Sequence, residues 1–296
     1  MNSNPLVSIL MTAYNREKYI GEAIECVLAS TYTNFELIIV DDGSNDNTVS
    51  IVKTYEKNDR RIKLYVNEKN IGQFNNRNLA ATYAQGIYLK YLDSDDLIYP
   101  NGLEILINVM ERFPEAAYGL CSIEQDVDKI FPFILSPIET YERHFCKKKW
   151  VFHKAPLSSI IRKEIFFNVG GFANQNGDGD YEMWLHLSCN YNVVLIQDGI
   201  VWYREHDDQI DFQRRNDPLI SFRYFLITLN YMMDNCPLDK AVKIKIIKET
   251  HSMMVRNIIK VFFNYSPKKA SQMFKMANYN IFSFFKKCLQ SILTKG

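Results

Sequence analysis

Over the first hundred residues the apolar positions switch between two rhythms. "PLVSILMTAY" (5–14) is a short continuous apolar run, whereas "YIGEAIECVLAS" (19–30) repeats apolar residues at Ile20, Ala23, Ile24, Val27 and Leu28. The first predicts a strand and the second a helix with one buried face. "FELIIVDDGSNDNT" (35–48) predicts a second strand that runs into a turn-rich loop, followed by a helix in "TVSIVKTYEK" (48–57). A third strand is expected in "RIKLYVN" (61–67), a helix over 72–85 and a fourth strand in "GIYLKYLD" (86–93). Strands alternating with helices predict an α/β fold with a doubly wound, mostly parallel sheet. Ligands of such sheets sit at the carboxyl ends of the strands. Three polar clusters fall there, Thr12 to Asn15, Asp41 to Asp46 and Asp93 to Asp96, and they are expected to face one crevice.

The rhythm changes after residue 215. "LISFRYFLITLNYMM", the span 238–264 and "NYNIFSFFKKCLQSIL" all read as helices rich in Phe, Ile, Met and Lys. From Pro237 to Gly296 twelve Lys and Arg face only Asp239 and Glu249, a net of +10; the preceding residues, with 23 basic against 32 acidic, stand at −9. The predicted organisation is a catalytic-type domain over 1–215 and a basic helical extension over 216–296. In the last helix Ile281, Phe282, Phe285, Leu289 and Ile292 share a face opposite Ser283, Lys286, Lys287 and Gln290. Two readings stand for it: packing on the rest of the chain with a solvated basic side, or lying on an anionic membrane surface.

With 296 residues, 47% hydrophobic and 23% charged, the chain can bury a full core. Its six cysteines have no C-x-x-C spacing, which points away from zinc knuckles and disulfide frameworks and toward a reducing compartment. No signal peptide or spanning helix is expected, so the predicted location is the cytoplasm, with association at the inner face of the membrane left to the basic helices. No nucleic-acid partner is expected.

"YLDSDDL" places Asp93, Asp95 and Asp96 within four positions. Like charges so close repel unless a cation or a helix end meets them, so the choices are a metal ion and an N-cap. Neither G-x-G-x-x-G nor a P-loop follows the first strand. Asn174, Asn176, Asp178 and Gly179 begin like a calcium loop, but Leu185 stands where the bidentate Glu belongs. Asp93 and Asp95 suit a divalent ion completed by substrate phosphates.

Taken in order, "VSILMTAYNREKYIGEAIECVLASTYTNFELIIVDDGSNDNT", "NIGQFNNRN", "YLDSDD", "GGF", "GDYEMW" and "YREH" resemble the family 2 glycosyltransferases of GT-A fold, over the first 210 or so positions. That resemblance implies a nucleotide-binding half continuous with an acceptor-binding half, and inverting sugar transfer from a nucleotide donor. It implies that Thr12, Ala13, Tyr14 and Asp41 hold the base, and that Arg77 approaches the diphosphate. Asp93 is placed at the ribose and metal shell, and Asp95 as direct ligand of Mn²⁺ or Mg²⁺. His206 is a further ligand, with Tyr203 and Arg204 near the phosphates. Asp96 is left as a cap of the helix starting near Pro100 or a supporting group. The base that takes the acceptor proton falls on Asp180, ahead of Asp178 and Glu182. Many relatives carry an acid where this chain has Gly179 and an Arg where it has His186.

The expected function is metal-dependent, inverting transfer from a UDP-sugar to a hydroxyl of a glycan or lipid-linked acceptor. The rivals are a non-catalytic nucleotide-sugar-binding scaffold, which would not need Asp180, and a sugar-1-phosphate nucleotidyltransferase, which would show a Gly-rich basic signature that "LMTAYNREKY" lacks.

Overall fold

The computed structural model describes residues 4–173, 179–206, 217–234, 236–280, 284 and 287. The chain divides into two compact units, Met1–Arg204 and Glu205–Gly296. In the first, the expected alternation is realised: β1 (Val7–Ala13), α1 (Ile20–Leu28), β2 (Phe35–Asp41), α2 (Thr48–Asn58), β3 (Ile62–Val66), α3 (Gln73–Tyr83) and β4 (Tyr88–Tyr91). A two-residue β5 (Leu97–Ile98) and α4 (Gly102–Arg112) precede β6 (Ala116–Ile123), β7 (Phe133–Leu135) and α5 (Pro137–Tyr141). The unit closes with β8 (Ser159–Arg162), α6 (Lys163–Asn168), α7 (Gly179–Asn190), β9 (Asn192–Gln197) and a two-residue β10 (Val201–Trp202).

Eight strands form one sheet in the order β3-β2-β1-β4-β8-β6-β9-β7. The β3-β2-β1-β4 half is parallel, β8 runs antiparallel between β4 and β6, and β9 returns parallel to β6. Because side chains alternate across a strand, β1 splits its residues between two faces. Val7, Ile9, Met11 and Ala13 join the core that includes Ile24 and Val27 of α1 and Leu106 and Met110 of α4. On the other face lies α3, whose Asn76 Nδ2 donates to the Val40 carbonyl at 2.9 Å. That face is aromatic further along: Phe172 packs on Phe74 and Tyr91, and Trp184 of α7 stacks on Tyr118.

Helix α7 fits closely against α3. A Cβ on Gly179 would stand 3.0 Å from both the Ala173 carbonyl oxygen and the Phe74 ring, nearer than side chains ordinarily approach. A side chain at 179 would make the Ala173 carbonyl or the Phe74 ring give way by a few tenths of an ångström.

The second unit contains α8 (Pro218–Asp234), α9 (Lys240–Asn264) and α10 (Pro267–Met276). Phe222, Met254, Val255, Ile258, Val261, Ala270 and Met273 form its core. Helix α10 was not anticipated from the hydrophobic pattern, although Ser266 caps it by accepting the Lys269 N–H and Pro267 opens it. Of the last predicted helix only Phe284 and Lys287 are described. Phe284 packs against Phe274 and Tyr279. The proposed face of Ile281, Phe282, Phe285, Leu289 and Ile292 lies outside the described residues. Among those described, no helix is long and apolar enough to cross a membrane.

Candidate active site

Register brings the first two clusters together. Thr12 and Ala13 of β1 lie opposite Val40 and Asp41 of β2, so the ends of both strands leave the sheet side by side, and Tyr14 follows exposed. The Asp41 carboxylate is buried and accepts the Gly43 and Ser44 N–H groups at 3.1 and 2.8 Å. Gly43 holds φ 79, a left-handed conformation that glycine tolerates without strain. The neighbouring Asp42 points to the next connection, accepting the Ile71 and Gly72 N–H groups at 2.9 and 3.0 Å and the Asn67 amide at 2.8 Å. It thereby fixes the entry into α3 and the position of Arg77.

Arg77 is a deeply enclosed charge, with a side chain 4% exposed. Its Nη2 donates to both Asp93 oxygens at 2.7 and 2.9 Å. Burial disfavours the guanidinium charge, but Asp93, with a smaller pull from Asp180, more than offsets it and holds the group firmly protonated. Its Nε and Nη1 are buried with no hydrogen-bond partner among the described residues. Buried donors are ordinarily satisfied.

Residues 93–96 form a tight turn, closed by the Asp96 N–H on the Asp93 carbonyl at 3.0 Å. Asp95 receives Arg16 Nε at 2.9 Å, while Arg16 Nη1 holds the Tyr14 and Asn15 carbonyls at 3.3 and 3.1 Å. Asp96 does not cap α4. It is buried and accepts the Arg204 N–H at 2.9 Å, because β5 pairs with β10 and brings residue 204 over the turn. Burial, and then the neighbouring Asp93 charge, push its carboxyl up to about 8. Arg204 also donates Nε to the Asp95 carbonyl at 2.9 Å and Nη2 to Glu22 at 2.6 Å. Beneath the turn, Lys90 is wholly buried; its Nζ donates to the carbonyls of Tyr91, at 3.0 Å, and Leu157. Burial lowers its pKa to about 8.

The structure therefore brings Arg77, Asp93 and Asp180 within mutual electrostatic reach, and it joins Asp93, Asp95 and Asp96 through arginines. Asp180 stands in the first turn of α7, where its Oδ1 accepts the Tyr181 N–H at 2.8 Å. Glu182 is half-buried, and burial raises its carboxyl. Asp178 lies outside the described residues, and His206 belongs to the second unit, so its part rests on the sequence. Sequence reasoning missed Arg16 and Lys90. The first is signalled only by its place just after β1, the second by a lysine inside an apolar strand.

A resident metal ion can be tested against these groups. Among the described residues no set of three or more His, Cys, Asp and Glu stands together to hold one. The oxygens of Asp93 and Asp95 are hard donors on one turn, matched to Mg²⁺ or Mn²⁺ rather than softer metals. The residues fit an ion that takes its other ligands from a diphosphate.

A parallel sheet with an aspartate turn at its carboxyl edge, continued by an acceptor-side mixed half, is the GT-A arrangement. The chain belongs to glycosyltransferase family 2, whose model, "Glycosyl transferase family 2", matches residues 8–170, and it is a glycosyltransferase. It is 47% identical over 197 residues, 66% of this chain and 75% of the relative, to the UDP-Glc:alpha-D-GlcNAc-diphosphoundecaprenol beta-1,3-glucosyltransferase WfgD of Escherichia coli. Among solved structures it is similar to S. aureus TarS in complex with UDP-GlcNAc, with a TM-score of 0.64 at 19% identity over 88% of this chain and 74% of that one. It is also similar to the mannosyltransferase PcManGT from Pyrobaculum calidifontis in complex with GDP-Man and Mn2+, with a TM-score of 0.60 at 14% identity over 100% of this chain and 82% of that one.

Proposed function

We propose that the chain transfers a sugar, with inversion, from a UDP-sugar to a hydroxyl of a lipid-linked glycan at the inner face of a membrane. The observation that carries this reading is Arg77: a buried guanidinium paired with Asp93, within electrostatic reach of Asp180, and with two donors that have no hydrogen-bond partner among the described residues. Those donors suit the oxygens of a donor diphosphate. Thr12, Ala13 and Tyr14 with Asp41 form the seat for the base. Asp93 and Asp95 are the groups of the first unit to hold a divalent ion. Such an ion, when bound, neutralises charge on the departing diphosphate.

Asp180 accepts the proton of the acceptor hydroxyl. The freed oxygen bonds to the anomeric carbon from the face opposite the bond to the nucleoside diphosphate, which breaks and leaves with its electron pair. The uridine donor and the diphospholipid-linked acceptor are supported by the E. coli relative, a UDP-Glc enzyme acting on a diphosphoundecaprenol-linked sugar. A manganese requirement is supported by the archaeal neighbour, which was solved with GDP-Man and Mn2+.

The membrane reading is supported by α9. Its exposed surface carries Ile259, Phe262 and Phe263, the last 77% exposed, followed by Tyr265. Lys245, Lys248, Arg256 and Lys260 lie on the same helix, with Glu249 its single acid. This mixture of basic and aromatic groups suits an interface.

The test is thermal unfolding with UDP or UDP-glucose in Mn²⁺ and in chelator, beside release of glucose from UDP-glucose. Stabilisation only with Mn²⁺, lost in Arg77→Gln, is expected. Equal shifts in chelator refute the metal, and a shift with GDP alone refutes the uridine donor.

A further inference from the structure

A cavity of about 330 Å³ opens in the first unit between the ends of β6, β9 and β10, lined in part by Ser122, His153, Lys154, Asp198 and Trp202. None of these residues has yet been given a role. The volume is at the small end of ligand sites, about 300–1,000 Å³. We propose that this cavity seats the terminal pyranose ring of the acceptor, with Trp202 as its stacking platform and Asp198, Lys154 and His153 as the groups that read its hydroxyls.

Three observations carry the assignment. The first is chemistry. Lys154 and Asp198 both line the cavity, so its wall carries one cation and one anion. It matches neither a phosphate nor a metal ion, but a neutral polyol that needs both donors and acceptors. Trp202 adds an aromatic surface of the kind that covers the C–H face of a sugar ring, and it is 41% exposed.

The second is preorganisation. The Arg204 guanidinium lies 4.9 Å from the centroid of the Trp202 ring, and that same guanidinium is tied to the Asp95 carbonyl and to Glu22. The platform is thus fixed by the residue that also fixes the acidic turn. Lys154 is oriented in turn, its Nζ donating to the Ser122 carbonyl at 2.6 Å and its carbonyl accepting the Trp184 indole N–H at 2.6 Å.

The third is position. The His153 ring stacks on Tyr181, with centroids 5.1 Å apart and planes 20° from parallel, and Tyr181 follows Asp180 directly. On the other side, Leu157, which also lines the cavity, accepts Lys90 from beneath the acidic turn. The cavity is thus linked through His153 and Tyr181 to the helix that carries Asp180, and through Leu157 to the lysine beneath the acidic turn.

The inference rests on the transferase reading above, and the two can fail separately. The full chain carries three tryptophans, Trp150, Trp184 and Trp202, whose indole N–H signals are assigned by single Trp→Phe variants. Methyl glycosides of glucose, galactose, mannose and N-acetylglucosamine are titrated to tens of millimolar with UDP present. At least one is expected to move the Trp202 signal while leaving Trp150, which does not line the cavity, in place. Affinity should fall about tenfold in Trp202→Ala and in Asp198→Asn. Both variants are first checked for unchanged unfolding without sugar. The proposal is overturned if no glycoside moves Trp202, or if binding persists undiminished in both variants. Failure of UDP to stabilise the wild-type chain sinks the donor reading instead.

Discussion

Removing the Asp93 carboxylate should be far more damaging than removing its neighbour two residues on. Asp93→Ala deprives Arg77 of the acceptor for Nη2, and Nε and Nη1 are already without partners. The guanidinium, 4% exposed, is left buried with nothing to balance it, whereas Asp93 itself is 25% exposed. Breaking a buried pair by deleting one member costs about 3–5 kcal/mol, and the partial exposure of Asp93 argues for the lower end, about 3 kcal/mol. For a unit of this size each kcal/mol moves the melting temperature by about 2–4 °C, so a drop of about 6–12 °C is expected. Arg16 is more exposed and keeps the Tyr14 and Asn15 carbonyls when Asp95 is lost. Although the Arg16–Asp95 pair is itself mostly buried, at 17% and 10% exposed, Asp95→Ala should therefore cost less than Asp93→Ala. The assay is thermal unfolding by circular dichroism in chelator, with the double variant Arg77→Met/Asp93→Leu as control. Replacing both members by apolar groups should return most of the stability. Equal losses for Asp93→Ala and Asp95→Ala, or a double variant no better than Asp93→Ala, would refute the reasoning.

Asp180→Asn keeps the size of the side chain but cannot take a proton, so sugar transfer should fall by about 10² to 10⁴ with donor affinity unchanged, measured by turnover and by UDP-sugar titration. In chelator, Asp96 makes stability fall as pH rises from about 4 to 8, because the native carboxyl keeps its proton up to about 8 while the unfolded one loses it near 4. Denaturant midpoints across that range should show the slope, and Asp96→Asn should flatten it. The chain should sediment with anionic but not neutral vesicles at low salt, and the pair Phe262→Ser/Phe263→Ser should weaken that binding several-fold.

The half of the sheet from β1 to β4 was legible because each element there announces itself locally, by a run of apolar residues or a helical repeat. The remainder was not, for a definite reason. Strand β8 pairs antiparallel with β4 and β6, elements far from it in sequence, and nothing in "SIIR" says which neighbours it will have. Asp96 shows the same limit within the site. Its sequence context favours a helix cap, yet its partner is an N–H 108 residues away, delivered by the pairing of β5 with β10. Asp93 and Asp95 stand out in the sequence as clustered acids, whereas Asp180 was singled out only through the resemblance to the family. Arg16, Lys90 and Trp202 could not be named, since each acquires its role only from what the fold sets beside it. Helix α10 was hidden for a simpler reason: ten residues with three lysines look solvated, and only the Ser266–Pro267 start marks them.

The arginine clasps on the acidic turn carry a kinetic consequence. Arg77 and Arg16 already match the charge of Asp93 and Asp95, so neither carboxylate is bare. For a hydrated cation to settle there by itself, Arg77 must release Asp93 and remain buried with no acceptor at all. When a diphosphate accompanies the cation, Arg77 can turn from carboxylate to phosphate, and one ion pair replaces another. If the turn holds an ion, nucleotide and ion should therefore come on as a single chelate and depart as one, with free cation a weak competitor for the empty enzyme.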